Sequence, residues 1–262
     1  MHTFMIVAGL NLAAVTALMV VVWMLSVRLR DVSIVDIAWG GAGAGIACLS
    51  FLVAGGSTPR RIVITLMVVL WGVRLALHIG SRKKGSPEDF RYAAMRAEHG
   101  SAFPLRSLFT IFLLQAFLIW VVTLPVQVTQ LAAEPAHLGI LELVGGLVWL
   151  VGFAWESVAD LQLARFLSDP ANRGKVMDRG LWAFSRHPNY FGEVVLWWGV
   201  YLVALSTPWA WATIVSPILV TYLLMNLSGV PLLEDGLLDR RAGHREYVEK
   251  TNAFFPWAPR AP

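Results

Sequence analysis

The sequence is poor in charge and almost devoid of cysteine. Of 262 residues only 15% are Asp, Glu, Lys or Arg, where a soluble globular chain carries roughly 25%. The one cysteine, Cys48, lies in an apolar Gly/Ala run, which excludes a disulfide framework and a cysteine-based metal site. Heptads, internal repeats and low-complexity tracts are missing too. With a mean hydropathy of +0.63, the low charge excludes disorder, collagen-like structure and an ordinary cytosolic fold. What is present is 57% hydrophobic residues, gathered into long runs with few or no charges. The expected class is all-α, a polytopic membrane protein.

A helix crossing a hydrocarbon core of ~30 Å needs ~20 mostly apolar residues. Seven stretches meet or approach that length: about 4–27, 34–54, 62–79, 108–131, from 137 past 155, 189–205 and 209–230. The first lacks the basic leader of a signal peptide and is too long for one. Of the 21 Lys and Arg, 18 fall after the first, third, fifth and seventh stretches; the others are Arg60, Arg61 and Arg74. Positive-inside reasoning then places the N-terminus outside and the C-terminus in the cytosol, which seven transmembrane helices satisfy. The isoelectric point near 9.5 reflects one basic cytosolic face, and no nucleic acid partner is implied. The run Gly40–Ala47 (GGAGAGIA) suits close helix packing. Single cations such as Lys83 and Lys84 can be lipid-headgroup anchors.

The richest polar stretch is Arg179–Glu193 (RGLWAFSRHPNYFGE). Ser185 is a helix-capping candidate and Pro188 suits a first helical turn. Asn189 and Glu193 are four residues apart and share a helix face, with Gly192 between them permitting close approach. A helix N-terminus favours an anion, a preference that Arg186 and His187 reinforce; a plain cap and interface anchor is the simpler alternative. Glu156 and Asp160, also four apart, put two carboxylates on one face beside Arg165. They can accept hydrogen bonds from sugar hydroxyls or an amide, or form an ion cluster with Arg165 and Arg186. In the tail, Glu234 and Asp235 precede Asp239, Arg240 and Arg241, then Tyr247 and Phe254-Phe255-Pro256-Trp257. Paired arginines suit a pyrophosphate, and a solvated charged helix is the alternative. The loop of Asp89, Phe90, Arg91 and Tyr92 with Arg96 adds cations and rings able to hold adenine and phosphate.

Within the apolar runs, Asp36 and Arg74 stand out, and ionisable residues there are functional candidates by default. Trp39 follows Asp36 by three positions on the same face. An Asp36–Arg74 structural ion pair is the competing explanation.

The run Arg186-His187-Pro188-Asn189-Tyr190-Phe191-Gly192-Glu193 resembles the cofactor signature of membrane steroid 5-alpha-reductases and related sterol reductases. The likeness extends to Asp31–Gly40 (DVSIVDIAWG), Asp89–Arg96 (DFRYAAMR), Pro170–Gly174 (PANRG) and Tyr247 with Phe255-Pro256-Trp257, and is similar to the bacterial branch of that family. The resemblance implies a single membrane-embedded domain of seven helices over 1–262, with residues 1–131 facing substrate and 132–262 binding NADPH. It implies reduction of an enone carbon–carbon double bond with NADPH. Asn189 and Glu193 would hold the nicotinamide end. Asp160, Arg165, Glu234, Arg240 and Arg241 would contact the nucleotide, together with Arg74, Arg91, Tyr92, Glu156, Arg173, Arg186, His187, Tyr190 and Tyr247. The Gln, Glu and Tyr set that eukaryotic relatives place around the steroid carbonyl has no evident match here. Asp36 and Trp39, with Trp71 and Arg74, occupy the comparable region.

On that expectation, charge develops on a ketone oxygen, so the site needs a donor there. A carboxyl such as Asp36, kept protonated in low dielectric, can donate that bond, assisted by the Trp39 N–H. An apolar enone would enter from the bilayer and NADPH from the cytosol, in a monomer embedded in membrane lipids, the bacterial inner membrane being the expected location. An isoprenylcysteine or phospholipid methyltransferase using S-adenosylmethionine is the rival enzyme, and a small transporter or lipid-binding scaffold the rival of another kind.

Overall fold

A computed structural model describes residues 2–54, 58–131, 137–227 and 243–260. All regular structure among them is helical, and no strand forms. The helices are α1 (His2–Leu29), α2 (Ile34–Val53), α3 (Thr58–Lys83), α4 (Phe90–His99), α5 (Phe103–Ser107), α6 (Leu114–Val122), α7 (Leu124–Thr129), α8 (Ile140–Ser168), α9 (Pro188–Ala204), α10 (Val215–Tyr222) and α11 (His244–Lys250). Among the described residues six helical stretches are long and apolar enough to cross a membrane: His2–Leu29, Ile34–Val53, Pro59–Lys83, Phe90–Val122, Ile140–Ser168 and Ala210–Leu227. The chain is thus a multi-pass membrane protein. The stretch expected at 189–205 forms α9, which has 17 residues, the short end of the spanning range.

One expected loop is a helix. Asp89 does not lie in a loop with Arg91 and Tyr92 but caps α4, its carboxylate accepting the Arg91 N–H at 3.0 Å. An aspartate at that position satisfies one of the donors that a helix start leaves open. The helical path then continues through a π-turn at Leu108–Leu113 to Val122. It stops short of the expected 131 because Pro125 lacks an N–H and its ring crowds the preceding turn; α7 restarts after Thr123.

The chain divides into two compact units, Met1–Glu142 with Val203–Ser216 and Leu143–Leu202 with Pro217–Pro262. In the first unit α2 packs on α3, and α1 and α6 pack on α2. Gly40 and Gly72 touch backbone to backbone, so that a methyl on either would run into the carbonyl of the other. Trp71 is fully buried, in reach of Gly43, which also faces Ile119. Buried amides tie the helices: Asn11 Nδ2 donates to Ser50 Oγ at 2.7 Å and to Gln127 Oε1 at 3.2 Å. Bonds of this kind substitute for the hydrophobic effect, which lipid does not supply between helices. Buried Arg60 pairs with Glu142 at 3.7 Å and donates to Ser206 at 3.0 Å. Cys48 is exposed on α2.

In the second unit the glycines of α8 and α9 mesh. Cβ atoms at Gly192 and Gly199 would meet backbone atoms of α8, and one at Gly152 would meet Leu196 of α9. Glycine at these three positions lets the two backbones come into direct contact.

Candidate functional site

Two polar constellations stand out, one in each unit. In the first, Asp36 sits in the opening turn of α2 and accepts two bonds from α4: Tyr92 Oη at 2.9 Å and Arg91 Nη2 at 3.3 Å. Its ion pair is with Arg91, not with Arg74, which lies on α3. Both bonds are accepted by its carboxyl oxygens, from a cation and a phenol that the fold brings from 55 and 56 positions away. Arg91 is aimed by Asp89, which takes its Nε at 2.7 Å and Nη2 at 3.2 Å. The guanidinium lies over the Tyr92 ring, 5.3 Å from its centroid. Tyr92 is buried, whereas Asp36, Arg91 and Asp89 are half-buried. Trp39 stands one turn beyond Asp36, half-buried.

The rim around Asp36 is laced shut by polar contacts. Ser33 Oγ accepts the Asp89 N–H at 2.7 Å, and Lys83 pairs with Asp31 at 2.7 Å. Glu88 accepts the Val32 N–H at 2.8 Å and holds Arg96 through two bonds of 2.9 and 2.8 Å. Burial would raise the carboxyls of Asp31, Glu88 and Asp89, but the bonds from Lys83, Arg96 and Arg91 outweigh it and hold all three below their ordinary values. A carboxyl depressed in the folded state stabilises it fully above the ordinary value, 4.5 for Glu88 and 3.8 for the aspartates. That contribution is lost as pH falls through the lower folded value. Unfolding of the purified chain in detergent should therefore shift to lower temperature as pH drops below 4.5. Glu88→Gln should flatten that dependence; an unchanged pH profile would contradict the assignment.

In the second unit, Glu156 and Asp160 on α8 are buried at 2% and 4% exposure. Asn189, in the first turn of α9, donates Nδ2 to Asp160 Oδ1 at 3.1 Å. Its own Oδ1 is buried with no hydrogen-bond partner among the described residues. The seam explains this proximity, because a side chain at Gly192 would collide with the backbone of Glu156. Glu193 follows one turn along α9, half-buried. The result is a cluster of buried acceptors around the open Asn189 Oδ1.

The segment preceding α9 is fixed by the tail. Ser185 Oγ accepts the His187 N–H at 3.1 Å, as its capping role requires, and donates to the Phe254 carbonyl at 2.8 Å. Arg186 donates from Nη1 to the carbonyls of Thr251 at 2.6 Å and Val248 at 3.2 Å. Tyr247 donates its hydroxyl to the Trp182 carbonyl at 2.6 Å. His187 is buried and stacks on Tyr190 at 5.6 Å between centroids. Arg165 and Arg173 are exposed. Glu234, Arg240 and Arg241 lie outside the described residues. Beside this segment is an open hollow of about 400 Å³ lined by Phe166, Lys175, Arg179, Tyr247 and Lys250 among others. Lys175 and Arg179 were not among the expected site residues, although the same basic run carried the signal. No group of three or more His, Cys, Asp or Glu able to hold a metal occurs among the described residues.

Long apolar helices with polar constellations on helix ends define the class: an all-helical, multi-pass membrane protein. Within it, the family described as "Protein of unknown function (DUF1295)" matches residues 22–251, and the chain belongs to that family. An uncharacterized protein of Schizosaccharomyces pombe is 25% identical over 270 aligned positions, covering 90% of this chain and 76% of that protein. No solved structure matches the chain.

Proposed function

We propose that the chain is an NADPH-dependent reductase of the carbon–carbon double bond in a steroid-like or other lipid α,β-unsaturated ketone. The observation that carries this reading is the buried Asn189 Oδ1 with no donor opposite it, beside the buried carboxylates of Glu156 and Asp160. A buried acceptor left open costs about 1–3 kcal/mol, so a ligand offering N–H or O–H groups is favoured there. The carboxamide and ribose hydroxyls of a nicotinamide nucleoside are such groups. The resemblance of Arg186–Glu193 to the steroid 5-alpha-reductase signature supports the same assignment. Arg165 and Arg173 are exposed, and guanidinium groups suit phosphates.

NADPH, when bound, supplies a hydride to the β-carbon of the enone. Glu156, Asp160, Asn189 and Glu193 would hold the nicotinamide nucleoside by accepting and donating hydrogen bonds. The same reading takes α9 as a seventh span, with the N-terminus outside and the basic ends of the helices in the cytosol. It places a monomer in a bacterial inner membrane, drawing an apolar enone from the lipid.

Binding of NADPH to the purified chain tests this directly. Saturable NADPH binding is expected, weakened at least ~10-fold by Asn189→Ala, as loss of about 1.4 kcal/mol would do. Unchanged affinity in Asn189→Ala would remove the central assignment. Saturable binding of S-adenosylmethionine in place of NADPH would favour the methyltransferase alternative.

A further inference from the structure

The tail after α11 forms a strap that runs back over residues 183–187, and its aromatic side chains divide between two faces. Backbone bonds pin it: the Arg186 N–H reaches the Asn252 carbonyl at 2.9 Å and the Trp257 N–H the Phe184 carbonyl at 3.0 Å. Phe254 points inward at 4% exposure. Phe255 and Trp257 point outward at 61% and 72%, beside Phe184 at 44%. Three large rings left uncovered on a segment this well anchored are not a folding accident, because the backbone bonds fix which faces they show.

Their level in the second unit indicates what covers them. The Phe255 ring meets Phe191 edge-on at 6.3 Å, and Phe191 meets Trp155 of α8 in the same way at 5.8 Å. Trp155 stands among exposed apolar residues of α8, Val151 and Val158, on a helix long and apolar enough to cross a membrane. Counting from Ile140 at ~1.5 Å per residue, Trp155 lies about 22 Å along α8, in the last third of a core ~30 Å thick. Phe191 belongs to the first turn of α9, where that helix enters the apolar layer. The ladder of rings therefore leads from a lipid-facing helix surface, at the boundary of the hydrocarbon, onto the outer face of the strap. Aromatic residues concentrate at that boundary, where an apolar ring and a polar edge are both satisfied.

We propose that the strap, residues 252–257, is an interfacial anchor whose Phe255 and Trp257 side chains insert between phospholipids at the headgroup–acyl boundary. Lipid is then a partner that holds the strap against residues 183–187. Because Ser185 and Arg186 are bound by the strap, removing the anchor loosens the entry to α9, where Asn189 stands. The inference is independent of which cofactor or substrate the chain takes.

The test uses the full chain labelled with 5-fluorotryptophan in nanodiscs of phosphatidylcholine and phosphatidylglycerol, with the Trp257 fluorine resonance assigned through Trp257→Phe. A lipid nitroxide near the headgroup should broaden that resonance strongly, one at the chain terminus less, and a water-soluble gadolinium chelate little. Broadening by the chelate without effect of either lipid nitroxide would overturn the proposal. So would protection from lipid and water together with the mass of a dimer, which would assign the face to a second copy of the chain. In the double variant Phe255→Ser, Trp257→Ser, amide exchange at 184–187 and 252–257 should speed up at least ~10-fold in nanodiscs. Unchanged exchange would also count against the anchor, while the fluorine measurement on the otherwise native chain stands even if the double variant fails to fold.

Discussion

Tyr92→Phe is expected to lower the melting temperature of the purified chain by about 2–4 °C, the shift that about 1 kcal/mol makes in a chain of this size, while NADPH affinity stays within about twofold. The substitution removes one oxygen and little else. The ring is buried and keeps its place under the Arg91 guanidinium, and Asp36 keeps its ion pair with Arg91. What is lost is the one proton that the phenol gives to Asp36. Thermal unfolding in detergent, measured beside cofactor binding, checks both, and an unchanged melting temperature would show that this bond adds nothing to the fold.

Gly192→Val is expected to destabilise the second unit and to abolish cofactor binding. A Cβ at this position would stand 2.5 Å from the Glu156 nitrogen and 2.8 Å from the Gly152 carbonyl oxygen. Both are backbone atoms that cannot rotate away. Overpacking a tight core costs about 1–3 kcal/mol and sometimes more, and here relief requires α8 and α9 to part. Parting them breaks the 3.1 Å bond from Asn189 to Asp160, so stability and binding fail together. Gly146→Ala on α8 is the control, since nothing lies within 4 Å of its Cβ position. It should leave the melting temperature within ~1 °C, as expected of a surface change worth a few tenths of a kcal/mol. Equal loss in both variants would show that helix composition, not the seam, is responsible.

Hydropathy made the long helices legible, because a run of apolar residues has few structural solutions in lipid. The faces formed by Glu156 with Asp160 and by Asn189 with Glu193 were legible for a similar reason: helical periodicity is local. Pairings across the fold were not. Asp36 meets Arg91 and Tyr92 over more than fifty positions, and with two cations in view, hydropathy pointed to Arg74 because both lie within apolar runs. Asp89 read as part of a loop because charge density around it masked its capping role. Arg186 read as an anion ligand, yet its Nη1 is given to tail carbonyls, whose arrival no sequence pattern announces.

The lone thiol has a practical consequence. Cys48 is exposed on α2, twelve residues beyond Asp36 and so about 18 Å along the helix axis. A nitroxide or fluorophore attached through maleimide chemistry would modify a single position without any background substitution. Such a reporter would register tilting or immersion of α2 while the polar cluster at its other end stays native, giving spectroscopy direct access to the helix that carries Asp36.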